Sequence, residues 1–411
     1  MAIRWAVENG NWSNVATWDG GASLPTQGDI VHADGKAVTI DQNIVVGSIR
    51  TTTRSGGIAG GSFVITANFN ITADIIAGSS VCLTCTHTSG SIYINGSITG
   101  GNSGAYIYGL NNRSTGNLVI VGSITGGSLG SWQYGIYNVS SGNITVTGNV
   151  SGGTSTNNYC NGIHNNSIGN ITVIGNVSGY GYSHIGIHNA GAGSINVTGD
   201  VIGGNPIQTI ATNGIYNSAT GSITVVGNLI AASNTAITNN GSGTNTITGI
   251  LYPSNNNYAI NMSGAGIVVI NGDISSSPYY PSIYAPLARC TIKGNMTSVG
   301  GVFPICCTKL QISPSLPTVI TLQSTDNSDR LLMTSNASPF LPALSDVRKD
   351  VIFGVNNDLV GTLAVPPKSS VVSGVPTDDG IGTFAFTPEL ITRLSNCATV
   401  ESVGEQLEAL M

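Results

Sequence analysis

Cleavage of a polysaccharide needs a pair of carboxylates close enough to act as acid and base or nucleophile. Between Ile75 and Gly272 this sequence has one, Asp200. A lone Asp at a turn reads as a solvated turn residue, so hydrolysis on this stretch is disfavoured. Only a site shared between subunits, using Asp273 or the acids of the tail, stays open. The same scarcity argues against calcium-binding repeats, which need an Asp in each turn. Cys82-Leu-Thr-Cys85 with His87 supplies at most three soft ligands. Positions 82 and 85 of a strand point to opposite faces, which favours buried thiols over zinc. No Ser/His/Asp or Cys/His pattern has motif context, and no glycine loop cradles a phosphate. The sequence therefore assigns no catalytic, cofactor-binding or metal-binding residue.

One constellation does recur. Tyr137, His164, His188 and Tyr216 occupy the same position in successive repeats, which predicts an outward column of rings one strand spacing apart. Two readings stay open for it. Stacked aromatics can contact glycans, and they can equally stabilise a stack of strands through cross-strand contacts of about 0.2–1 kcal/mol a pair. The structural reading is favoured.

The elements that carry these residues follow from composition and period. Of 411 residues, 13 are Lys or Arg and 19 are Asp or Glu, giving a net charge of −6. The charged fraction of 8% lies far below the usual ~25%, so helical surfaces cannot be built over most of the chain. The 56 glycines, with abundant Asn, Ser, Thr, Ile and Val, favour many short strands joined by tight turns. The class is all-β. No basic stripe exists to neutralise phosphates, so nucleic acid is disfavoured as a partner. No apolar window of membrane-spanning length occurs, so membrane insertion is not expected. The first residues lack the apolar stretch of a signal peptide, which predicts release of the chain in the cytoplasm. The seven cysteines, odd in number and unevenly spaced, then read as reduced thiols.

From residue 90 onward a unit recurs, as in Asn143-Ile-Thr-Val-Thr-Gly148, Asn170-Ile-Thr-Val-Ile-Gly175 and Ser222-Ile-Thr-Val-Val-Gly227. Its closing glycines, from Gly96 to Gly272, are 26, 26, 27, 24, 28, 22 and 23 residues apart, the period of a solenoid. A second strand travels with it, as in Gly135-Ile-Tyr-Asn138, Gly162-Ile-His-Asn165 and Gly186-Ile-His-Asn189. Both alternate with period two, so Ile and Val face inward while Thr, Tyr and His face out. The predicted architecture is a right-handed parallel β-helix. Asn112, Asn138, Asn165, Asn189, Asn217 and Asn239 close the second strand in one phase. They predict an internal amide ladder with a step of roughly 4.8 Å.

Four regions follow. Residues 1–36, with Trp12 and Trp18, read as an N-terminal cap on the exposed edge of the first coil. Residues 37–275 read as the β-helix and 276–318 as a Pro-rich transition. Residues 319–411 read as a β-strand region for trimerisation or attachment. It ends in short helices, one opened by Thr387-Pro388-Glu389 and one carrying Val400, Val403, Leu407 and Leu410.

The two ends carry a resemblance. Trp12, Trp18, Pro25, Gly28-Asp29 and Val31 followed by Val38-Thr-Ile40 resemble the start cap of many right-handed β-helices. That opening, the Gly-Asn-Val and Ser-Ile-Thr-Gly-Gly repeats, and the tail with Val347-Arg348, Gly361-Thr-Leu-Ala-Val-Pro366, Gly374-Val-Pro-Thr-Asp378 and Gly382-Thr383 are similar to virion structural proteins of tailed bacteriophages. The similarity spans nearly the whole chain. It implies a non-enzymatic homotrimeric spike or fibre that decorates the capsid, assembled in the host cytoplasm and bound to other virion proteins. The alternative is a tail fibre or tailspike that binds host surface polysaccharide, less favourably with depolymerase activity. No family catalytic motif matches, so none is carried over.

Overall fold

The computed structural model describes residues 1–292 apart from position 22 and the segments 55–61, 79–82, 103–105, 130, 155–158, 181–183, 205–212, 233, 254–257 and 277–282, with backbone alone at 276 and 285–289. Beyond residue 292 it describes the backbone of short strands between Met296 and Ile381. The chain divides into two compact units, residues 1–332 and 333–411.

The first unit is a parallel β-solenoid. Between Ser91 and Ser276 each coil contributes three strands rather than the two legible in the sequence. In one coil these are Trp132–Asn138, Ile144–Thr147 and Val150–Ser151, and they define what we call the asparagine face, the threonine face and the short face. Each strand pairs in parallel with its counterpart in the next coil: Ile136 with Ile163, Ile144 with Ile171, Val150 with Val177. Three in-register columns result, and their inward residues form one continuous core. Ile136, Ile163, Ile187 and Ile215 line one column, Ile144, Ile171, Ile195 and Ile223 the second, and Val150, Val177, Val201 and Leu229 the third, all buried. Full burial of such a side chain is worth roughly 1.5–3 kcal/mol.

The turn between the threonine and short faces requires glycine. Gly148 has φ +149°, a region that residues with a Cβ rarely adopt. A Cβ at this position would lie 2.3 Å from the carbonyl oxygen of Gly122 in the coil before. The closing glycine of the repeat thus has two causes, conformation and close stacking.

The N-terminal segment seals the stack by joining it. Ile3–Trp5 pairs in parallel with Ile30–His32, and Gly10–Asn11 pairs with Val38 and Thr39. After these two strands a 3-10 turn, Val15–Thr17, is capped by the Asn14 side chain. Trp12 and Trp18 are buried edge to face at 4.8 Å, and Trp18 Nε1 donates to the Trp12 carbonyl.

At the other end the parallel pairing does not stop at residue 275. Ile283–Ile292 pairs with Ile305–Ile312, and Met296–Ser298 pairs with Ile274–Ser276. The segment set apart by its prolines continues the solenoid. Pro286 is accommodated where the register shifts between Ala285 and Arg289, the kind of irregularity at which a sheet tolerates proline.

The second unit contains two antiparallel pairs, Ile352–Phe353 with Leu359–Val360 and Pro376–Thr377 with Gly380–Ile381. The helices expected from 387 onward lie outside the described residues.

Candidate functional site: the aromatic face and its corner ladders

The asparagine face concentrates the residues with chemical character. Tyr137, His164, His188 and Tyr216 are in register in consecutive coils. Their ring centroids are 5.4, 4.5 and 4.9 Å apart. They point out of the core as alternation demands, yet they are half-buried. Burial pushes the His164 imidazole down to about 3, with the neighbouring His188 adding to the shift, and burial brings His188 to about 4. Nδ1 of His164 has no hydrogen-bond partner.

Two further rows lie beside this column, and sequence reasoning missed them. Tyr106, Trp132 and Tyr159 stack nearly parallel, at 6.1 and 4.6 Å with interplanar angles of 17° and 16°. Tyr108 stacks on Tyr134 at 5.4 Å, and Tyr134 in turn lies 4.9 Å from His164. Tyr108 and Tyr134 are buried, which pushes the Tyr108 phenol up to about 12 and Tyr134 up as well. The available signal was the pair Tyr106-Ile-Tyr108 and Trp132-Gln-Tyr134, one repeat apart. In the outer row the rings turn their faces to one another and their edges to solvent. A pyranose packs on a ring face, and inside this row the faces are occupied.

Under the rows, Gln133, Cys160 and His184 are fully buried. The Cys160 N–H donates to His184 Nδ1 at 2.7 Å, and the Cys160 thiol reaches Gln133 Oε1 at 3.6 Å. The His184 imidazole is pushed down to about 4 by burial, against the opposing effect of the Cys160 hydrogen bond. A thiol beside an imidazole has the elements of a nucleophile pair. Here Nδ1 is committed to a backbone N–H and the groups are sealed from solvent, so the cluster anchors the chain before the asparagine-face strand.

The Cys82–Cys85–His87 group does not assemble a metal site among the described residues. Cys82 lies outside them, Cys85 is buried with its thiol pushed up by burial, and His87 turns to Ser114 Oγ at 2.6 Å from Nδ1. No group of three or more His, Cys, Asp or Glu gathers anywhere among the described residues.

The amides form a ladder through four coils. Nδ2 of Asn112 donates to Oδ1 of Asn138 at 2.8 Å, Asn138 to Asn165 at 2.8 Å, and Asn165 to Asn189 at 3.0 Å, all fully buried. Beyond that the bonds are rerouted. Asn189 donates to the Gly193 carbonyl, Asn239 to that of Gly243, and Asn217 to Oδ1 of Asn245 at 3.0 Å. Asn245 stands inside the core in register with Ile223, and its Nδ2 has no partner.

Asp200 belongs to a second ladder, on the corner after the positive-φ glycines. There a side-chain oxygen of one coil accepts the backbone N–H of the next: Asn149 from Asn176 at 2.9 Å, Asn176 from Asp200 at 2.8 Å, Asp200 from Asn228 at 2.7 Å. Its carboxylate does the work of an Asn amide. A third ladder opens the threonine face, where Asn143 Oδ1 accepts from Asn170 N–H at 3.0 Å and Asn170 from Ser194 at 2.8 Å.

Three columns of apolar side chains, three polar ladders and one aromatic face define a parallel β-solenoid protein. Compared with protein-family models, curated proteins and solved structures, the chain matches none. Among the described residues no helix is long and apolar enough to cross a membrane.

Proposed function

We propose that this chain is a non-enzymatic structural protein of a tailed-bacteriophage virion, a homotrimeric spike or fibre that decorates the capsid. The observation that carries the mechanical part of this reading is uniformity. From Ser91 to Ile270 the strands of all three faces are paired in register with the coils on either side, and the residues with chemical character are spent on stacking and ladders. Asp200 is such a case. The virion assignment is supported by the resemblance carried by Trp12 to Val31, the repeats and the tail. Labelling particles with antibody to this chain, and counting its copies, tests it. Many tens per particle mean capsid decoration, small multiples of three or six mean a fibre, and none overturns the reading.

A second reading, a tail fibre that holds host surface polysaccharide, is favoured by one feature: the outer aromatic row, in which Tyr106 and Tyr159 are about half exposed. Inside that row the ring faces are taken by neighbouring rings, so weak contacts multiplied by trimerisation would carry the affinity. Incubation with host polysaccharide tests both readings together. Retention without new reducing ends supports the adhesin, and new reducing ends refute the non-enzymatic assignment.

A further inference from the structure

Among the described residues the threonine face carries a repeating exposed apolar pattern. Its outermost row runs in register through Val45, Thr72, Asn95, Val121, Thr147, Ile174, Thr198, Val226 and Thr248. From Val121 onward a β-branched apolar residue alternates with Thr at every coil. Val45, Val121, Ile174 and Val226 are each about half exposed, at 48–52%. The row beside it, Val119, Thr145, Thr172, Asn196, Thr224 and Thr246, is equally free of charge.

The geometry points to this face as the surface on which copies of the chain pack side by side, around a common axis and with their solenoids parallel. Three observations choose a second copy as the occupant. A chain of net charge −6 repels its own kind wherever its charges meet, and these two rows carry none. In a parallel cyclic arrangement coils at the same height meet, so the coil levels of Val121, Ile174 and Val226 meet the same levels of the neighbouring copies and Thr levels meet Thr levels. The size is also adequate. Nine rows at ~4.8 Å and four strand residues at ~3.3 Å give roughly 500 Å² on each partner. That is about 1,000 Å² in all, the lower bound for a specific interface.

This inference rests on the trimer reading, which says that copies associate but not where. The test is the mass of the full chain in solution, by light scattering and sedimentation, for the wild type, for Ile174→Lys and for the triple variant Val121→Lys, Ile174→Lys, Val226→Lys. The inference expects a wild-type trimer, a trimer at least tenfold weaker for Ile174→Lys, and a monomer for the triple variant with unchanged β-sheet circular dichroism. A trimer that survives both variants overturns the face and leaves the trimer reading standing. A monomeric wild type, whose face is then free for a different protein, overturns both. If the triple variant does not fold, Ile174→Lys alone decides, since one exposed substitution in a row of nine leaves the core untouched.

Discussion

Replacing Asn138 by Ala tests the buried amide ladder at its middle. The substitution removes the acceptor that Asn112 Nδ2 meets at 2.8 Å and the donor that Asn165 Oδ1 meets at 2.8 Å. It also removes the acceptor for the Ser140 N–H. A buried polar group left without a partner costs about 1–3 kcal/mol. Two stranded amides therefore cost about 2–6 kcal/mol, towards the lower end because Asn112 retains the Gly142 carbonyl at 3.4 Å. Asn239→Ala is the control. Its lost bonds are to Gly243 O and Gly241 N–H. Gly243 O still accepts from Ile267, and Gly241 N–H still donates to Asn217 O, so the loss stays near 1 kcal/mol. Urea unfolding followed by circular dichroism reads both, using the first cooperative transition because stacked repeats can melt in steps. Equal losses for the two variants, or a loss under about 1 kcal/mol for Asn138→Ala, would refute the claim that coil-to-coil amide bonds stabilise the interior.

Ile171→Asp places a carboxylate in the buried Ile column and costs several kcal/mol unless the group neutralises; thermal melting should shift down or the protein should become insoluble. Gly148→Ala forces an L-residue to φ +149° and a Cβ to 2.3 Å from Gly122 O. The conformation alone costs about 1–3 kcal/mol, so the melting temperature should fall well below that of a variant at the exposed Ser141, Ser141→Ala. His164 and His188 stay neutral in the fold down to about 3 and 4. The unfolded chain, titrating near 6.5, therefore binds more protons between those values. Stability present above pH 6.5 should be lost progressively as pH falls towards 4, and His164→Phe with His188→Phe should flatten that slope in urea titrations.

The long strands were legible because Ile-Thr-Val and Gly-Ile-x-Asn alternate over enough residues to show period two and return in phase. The short face was not. Val150–Ser151 and Val177–Ser178 are two residues long, and two residues cannot display an alternation. The solenoid beyond residue 275 was obscured by Pro278, Pro281 and Pro286, punctuation that ends a strand in most contexts; Pro286 lies within a strand, at its register shift. Asp200 was expected as a solvated turn residue and turns out to hold the next coil. It shares its column with Asp74, Ser97, Ser123, Asn149, Asn176 and Asn228, and that role is recognisable only once the column's register is known. The Tyr and His column was placed at the right position in the coil, while the packing of Tyr108 and Tyr134 from the neighbouring row on Tyr137 and His164 was not legible.

Because strands lie across the solenoid axis, backbone bonds such as Ile144 N to Asn170 O, Gly148 N to Ile174 O and Val150 N to Asn176 O run along it. A pull on the two ends loads every coil boundary in series, and the weakest boundary gives first. The step from Asn189 to Asn217, where no amide of the inner ladder crosses among the described residues, has fewer bonds to share that load. A push does the opposite, pressing close-packed backbone against backbone at each glycine corner, where the next atoms already touch. On this geometry the coil stack resists compression and yields in tension one coil at a time.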